Sequence, residues 1–170
     1  ISMPHMTDVF FSKSVIYIFE HNNDGAIGII INKSLNDSKY KTLFKELSLN
    51  HHISVNNKKI FFGGPILIDK YILLHKPLKD VNPSIDVTNS ISISSNKINL
   101  EKIIGANDVP YKVMMGHAGW RPGQLENEIK KGDWMMQSMT DDFVFNIQSN
   151  SMWEQAISSL DHNWANGANA

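Results

Sequence analysis

Gly116-His117-Ala118-Gly119-Trp120-Arg121-Pro122-Gly123-Gln124-Leu125-Glu126 follows a strand-like run at residues 112–115 and opens a helix-like run at 122–131. Three glycines, an indole and the single arginine sit in this short stretch, which reads as a strand-to-helix junction. Glycine tolerates positive φ and close backbone approach, and proline suits the first turn of a helix. The helix carries Leu125 and Ile129 on one face, pairs Glu126 with Lys130 four residues on, and ends at Gly132. A strand feeding a helix is the unit of an α/β layer, so the fold follows from this point outward.

Upstream, residues 14–20 (Ser-Val-Ile-Tyr-Ile-Phe-Glu) and 26–32 (Ala-Ile-Gly-Ile-Ile-Ile-Asn) are strand-like, and His21-Asn22-Asn23-Asp24-Gly25 between them is turn chemistry. The second strand is apolar on both faces, as a central strand covered on each side would be, and Gly28 within it marks a bulge or close packing. A short helix is expected at 42–49 and a loop at 50–59. Strands follow at 59–62 and 66–74, interrupted by Gly63-Gly64-Pro65 and by a turn at Asp69-Lys70. Short strands are expected at 85–87 and 91–93. A helix N-capped by Ser95 and closed by Gly105 comes next.

After the junction helix, strands are expected at 134–136 and 143–147, then an amphipathic helix carrying Met152, Trp153, Ala156, Ile157 and Leu160. No repeat or linker interrupts the chain. The expectation is one α/β domain over 1–162, with a mixed, partly antiparallel sheet and helices on its faces, and a frayed tail at 163–170.

Composition narrows the function. A formal net charge of -1 over 170 residues lacks the basic excess of a protein that grips nucleic acid by its phosphates, and no helix-turn-helix is visible, so direct nucleic-acid binding is not expected. The absence of cysteine removes disulfides, thiolate zinc sites and thiol nucleophiles, and fits a reducing cytoplasm. The longest apolar run, 26–31, is far short of the roughly 20 residues a membrane span needs. Fifteen lysines against one arginine point to nucleotide composition bias, which lowers the information in any single lysine.

The junction fails the phosphate-loop templates: neither Gly116 nor Gly119 continues as a Walker loop, and the dinucleotide spacing is absent. What remains is a set of backbone donors at a helix start, near His117 and Arg121. No Gly-x-Ser-x-Gly elbow and no His-Glu-x-x-His pair exists, so neither a serine hydrolase nor a metal site is expected. Glu20, His21 and His75 end strands, and Glu126 lies at a helix start; together they are the residues an acid–base cleft would use. Glu126 and Glu128 also read simply as favourable charge near a helix N-terminus. Trp120, Trp134 and Trp153 read as core anchors, with Trp120 the one whose glycine neighbours leave a face open.

Taken in order, Ser14-Val15-Ile16-Tyr17, Glu20-His21-Asn22, Gly25-Ala26-Ile27-Gly28, Asn32, Gly63-Gly64-Pro65, His75 and Gly116-His117-Ala118-Gly119-Trp120 resemble the bacterial YqgE/AlgH family across nearly the whole chain. The resemblance implies a single cytoplasmic α/β domain with a mixed sheet, and a transcriptional-regulator assignment with no established biochemical activity. The chain departs from the family at Lys33-Ser34, where Arg-Pro is usual, and at His117 and Arg121, so a shared function would not depend on those side chains. The candidate ligand-binding set is therefore Glu20, His21, Asn22, Asn32, Gly63, Gly64, His75, Gly116, Gly119, Trp120, Gln124 and Glu126, with no catalytic residue, cofactor or metal ligand assigned. The expected activity is non-enzymatic binding or regulation through a protein partner or small ligand. The alternative is a hydrolase-like enzyme that uses the strand-end Glu and His residues on a small anionic substrate.

Overall fold

Strand β1 (Ile16–Asn22) turns at Asn23-Asp24 into the antiparallel β2 (Gly25–Ile30), with Asn22 set opposite Gly25. The Asn22 side chain accepts the Asp24 N–H at 2.7 Å, the local bond that makes asparagine a turn former. Gly28 lies where the β1 register slips between Ile18 and Glu20, and a Cβ there would press on Ile16 and Ile18. Close packing beside a bulge thus accounts for that glycine. The computed structural model describes residues 1–35, 60–106 and 108–167, with side chains through 160. The helix expected at 42–49 and the loop at 50–59 lie outside the described residues.

The described sheet has seven strands in the order β1-β2-β7-β4-β6-β5, with β3 (Ile60–Phe62) pairing parallel to β7 off that path. β4 spans Ile66–His75, β5 Ile85–Asp86, β6 Ser92–Ser94 and β7 Tyr111–Trp120. Every other pairing is antiparallel, so the sheet is mixed, as expected. Among the described residues four helices pack with it: α1 (Lys97–Gly105), α2 (Gln124–Lys130), α3 (Asp141–Asn146) and α4 (Ser149–Gly167).

The expected junction is not a loop at its start. Gly116 to Trp120 remain strand, because Ala118, Gly119 and Trp120 pair with Gly28, Ile27 and Ala26 while His117 pairs with Ile66. The chain turns only at Arg121-Pro122-Gly123, and Gly123, at φ 73°, caps α2. Pro122 precedes the helix rather than opening it. Nor does Asp69-Lys70 break β4: the strand runs through it, with its register to β7 shifting between Ile66 and Tyr71 and Leu67 at φ 48°.

Three further differences have local causes. Asn96, not Ser95, caps α1, its side chain accepting the Asn99 N–H at 2.8 Å. The apolar run at 143–147, expected as strand, lies largely in α3, because Thr140 caps it and Asp141 and Asp142 fill its first turn. Residues 134–136 form no strand beyond a single bridge from Trp134 to Ser2. Helix α4 continues to Gly167, past the apolar positions that announced it.

The main core packs Ile29, Phe61, Leu74, Ile93 and Met114 of the sheet against Val144 of α3 and Met152, Trp153 and Ala156 of α4. On another part of the sheet, Leu73 and Val113 meet Leu100 and Ile103 of α1. A third cluster, of Ala26, Ala118 and Trp120 with Leu125 and Trp134, seats α2 on β2 and β7. Ile30 instead packs with Phe62, Phe10 and Phe11, so the cover over that part of β2 is aromatic rather than helical. None of the described helices is long and apolar enough to cross a membrane.

Candidate functional site

The antiparallel register places His21, Ala26 and Trp120 in one row on the face that α2 covers. Helix α2 thereby brings Glu126 to the rim of that row. The His21 Nε2–H donates to Glu126 Oε1 at 2.5 Å, with both side chains 44% exposed. Hydrogen bonds from its own backbone N–H and from His21 hold the Glu126 carboxyl below the usual range. The His21–Glu126 pair makes one exposed corner, while the Asn22 amide donates to Glu20 at 3.1 Å in a separate pair at the same end of the hairpin.

Behind the corner lies a more buried arrangement centred on Glu128. The indole N–H groups of Trp120 and Trp134 both donate to Glu128 Oε2, each at 2.8 Å, and the Gln124 amide donates to Oε1 at 2.8 Å. Gln124 in turn accepts the Arg121 backbone N–H at 3.1 Å, which ties the turn to the helix. The two indoles meet edge to face with centroids 5.8 Å apart, and Phe11 packs on Trp134 in the same manner. An ionised carboxylate shared by two indole donors is a strong fastener. The sequence offered Glu128 as an acid–base carboxylate or as charge near a helix start, not as a member of the candidate binding set; its four-residue spacing from Gln124 was the available signal for this role.

The glycine motifs meet backbone to backbone. Gly63 N–H donates to Met115 O at 2.7 Å, and a Cβ on Gly64 would overlap the His117 carbonyl while one on Gly116 would overlap Gly64 O. Gly64 (φ 150°) and Gly116 (φ 71°) also hold conformations that side chains disfavour. These glycines therefore serve the crossing of the β3–β4 connection over β7. Gly119 differs: it is exposed, and a Cβ placed there would meet only the tip of a side chain, Ile66 Cδ1, at 3.1 Å.

Gly119, Ile27 and Glu20 form the neighbouring row of the sheet, on the face opposite α2. His117 and its partner Ile66 share that face. Here apolar surface is left open: Ile66 is 42% exposed on this face, and its chain neighbours Pro65 and Leu67, the latter 58% exposed, are also uncovered.

Two candidates lie elsewhere. His75 pairs with Tyr111 at the far end of β7, nine residues from Trp120 and so roughly 30 Å of strand away. It is fully buried; Nδ1–H donates to Lys76 O at 2.8 Å, and Nε2 bonds Ser94 Oγ at 2.9 Å, while the Asn99 amide donates to the same hydroxyl at 3.1 Å. Burial lowers its pKa, in keeping with a neutral scaffolding imidazole. A cleft uniting Glu20, His21, His75 and Glu126 is therefore not formed. Asn32 is also committed: its side chain accepts the Val15 N–H at 2.8 Å and donates to Lys13 O at 2.9 Å.

Among the described residues no group of three or more His, Asp or Glu side chains could hold a metal ion. Trp120, Trp134 and Trp153 are buried, as core anchors should be. The chain matches the family model described as AlgH-like over residues 1–165. It is 34% identical over 172 residues to a UPF0301 protein of Vibrio atlanticus, covering 97% of this chain and 91% of that one. A UPF0301 protein of Serratia proteamaculans is 35% identical over 167 residues, covering 94% and 88%. The fold is similar to the solution structure of the AlgH protein from Pseudomonas aeruginosa, with a TM-score of 0.70 and 24% identity over 94% of this chain and 85% of that one. A crystal structure from Corynebacterium diphtheriae is similar at TM-score 0.69 and 21% identity, covering 92% and 82%. This chain is a member of the AlgH-like, UPF0301 family.

Proposed function

We propose that the chain is a non-enzymatic binding protein that engages a protein partner through the open face at Glu20, Ile27, Gly119, Ile66 and Leu67. One observation carries this reading: apolar side chains stand exposed at a strand crossing, beside a glycine whose missing side chain leaves room for a partner to approach closely. Leu67 is held at φ 48°, a conformation that costs a leucine free energy and turns it out of the regular strand. Glu20, at the end of the same row, suits a partner segment with apolar anchors and a basic residue beside them. The transcriptional-regulator assignment fits such a protein only through a partner, since the chain's charge gives no grip on a duplex.

A hydrolase reading has one observation in its favour, the His21–Glu126 pair, which orients an imidazole as a carboxylate orients a general base. No serine or threonine is bonded to His21 among the described residues, so a water would have to be the nucleophile. Turnover of a panel of phosphoesters and carboxylic esters separates the two. The binding reading expects no turnover that His21→Ala or Glu20→Gln abolishes; activity lost in both variants would overturn it.

A further inference from the structure

Next to the open face, β4 carries an element that answers to the partner this face asks for. Ile66 pairs with His117 and Tyr71 with Met115, so residues 67–70 stand against Gly116 alone and arch away from β7. Leu67, Asp69 and Lys70 are exposed on this arch, and Leu67 at φ 48° turns out of the strand direction at its start. The arch therefore presents an apolar side chain and, three residues on, a cation.

Lys70 is only weakly held within its own chain. Its ammonium meets the carboxylate of the neighbouring Asp69 at 3.2 Å, with side chains 69% and 59% exposed, and ion pairs so exposed contribute little. On the face itself Glu20 accepts the Asn22 amide, and among the described residues no basic side chain meets it. In the same row Ile27 is half-buried and Gly119 is exposed. One surface thus holds an apolar anchor with a cation beside it, and a side-chain gap with an anion beside it.

We infer that the partner of this face is a second copy of the chain. Leu67 of one copy packs over Gly119 and Ile27 of the other, and Lys70 exchanges Asp69 for the other copy's Glu20. A two-fold axis repeats both contacts, so each copy gives an arch and receives one. Such self-complementarity, in charge as in apolar contact, is what an isologous dimer requires. The opposite charges fix the register of the pair, while Leu67 supplies the apolar burial. The inference rests on the docking face proposed above and names its partner.

The test is sedimentation of the purified chain over about 1–100 μM, with variants confined to the exposed side chains. The parent is expected to dimerise with a Kd below about 50 μM, and Leu67→Asp to weaken the dimer at least about tenfold. Glu20→Lys and Lys70→Glu should each weaken it roughly tenfold by setting like charges together, and the double variant should recover most of the loss. A monomer throughout the range, a dimer indifferent to Leu67→Asp, or a double variant no tighter than either single would overturn the inference. A photoreactive side chain at position 67 separates this failure from that of the face. A monomer that still yields an adduct with a different protein in cells removes the second copy and leaves the face, whereas no adduct in cells or in the purified protein removes both.

Discussion

The Trp120 indole N–H and Glu128 Oε2 lie 2.8 Å apart, joining the last residue of β7 to the middle of the helix that follows it. The same oxygen accepts from Trp134, so one carboxylate fixes the seat of α2. Glu128→Ala leaves two buried indole donors without a protein acceptor, and each such loss costs about 1–3 kcal/mol. We expect a stability loss of about 2–5 kcal/mol by urea unfolding, with a red shift of tryptophan emission in the folded state. Glu128→Gln should lose less than the alanine variant.

Backbone crowding and positive φ make separable predictions for the glycines. Gly64→Ala meets both, since its Cβ overlaps the His117 carbonyl, and should cost at least about 3 kcal/mol or prevent folding. Gly123→Ala meets open space at φ 73° and should cost only about 1–2 kcal/mol. Gly119→Ala asks only that the Ile66 side-chain tip give way, and should unfold close to the parent. Thermal melts of the three variants check the order.

Lys112 is an amine buried in the sheet, 5% exposed, donating to Ile31 O at 3.1 Å and lying 4.8 Å from the Phe61 ring centroid. Burial lowers its pKa from 10.5 to about 8. Between those values the unfolded chain holds the proton more tightly than the folded one, so stability is lowest below pH 8 and rises as pH increases. From pH 8 to 10 the gain should be about 2 kcal/mol, and Lys112→Met should flatten that rise.

For His75 the sign runs towards acid. Its folded pKa is depressed by burial below the ordinary 6.5, so the unfolded state takes up the proton first and stability falls as pH drops through that value. Ring-proton NMR should show His75 neutral at pH values where an exposed histidine is half charged. A normal titration curve for this ring would contradict the buried bonding to Lys76 and Ser94.

The sequence announced the β1–β2 hairpin because its turn chemistry is local: Asn22, Asn23, Asp24 and Gly25 act on their own backbone. The extent of β7 was hidden, because Gly116 to Trp120 are strand only through pairing with β2 and β4, which are remote in sequence. Apolar periodicity misread residues 143–147, where the Thr140 cap and two aspartates outweigh β-branched and aromatic propensity. Of the candidate residues, His21 and Glu126 meet in one corner, because register and helix placement bring strand end and helix start together, while Glu20 and Asn22 pair with each other instead. His75 shares their residue type and strand-end position but sits at the other end of β7, a distinction that only topology makes. The open face at Ile66 and Leu67 was equally hidden, since exposure of an apolar residue in a strand depends on what fails to cover it.

The most direct test of the binding reading is site-specific photocrosslinking in living bacteria, with the reactive side chain placed at Leu67 and, as a control, at the equally apolar and exposed Ile98 of α1. A discrete protein adduct from position 67, absent from position 98 and lost when Ile27→Asp is added, is the predicted result. Identical products from both positions, or an adduct indifferent to Ile27→Asp, would contradict it.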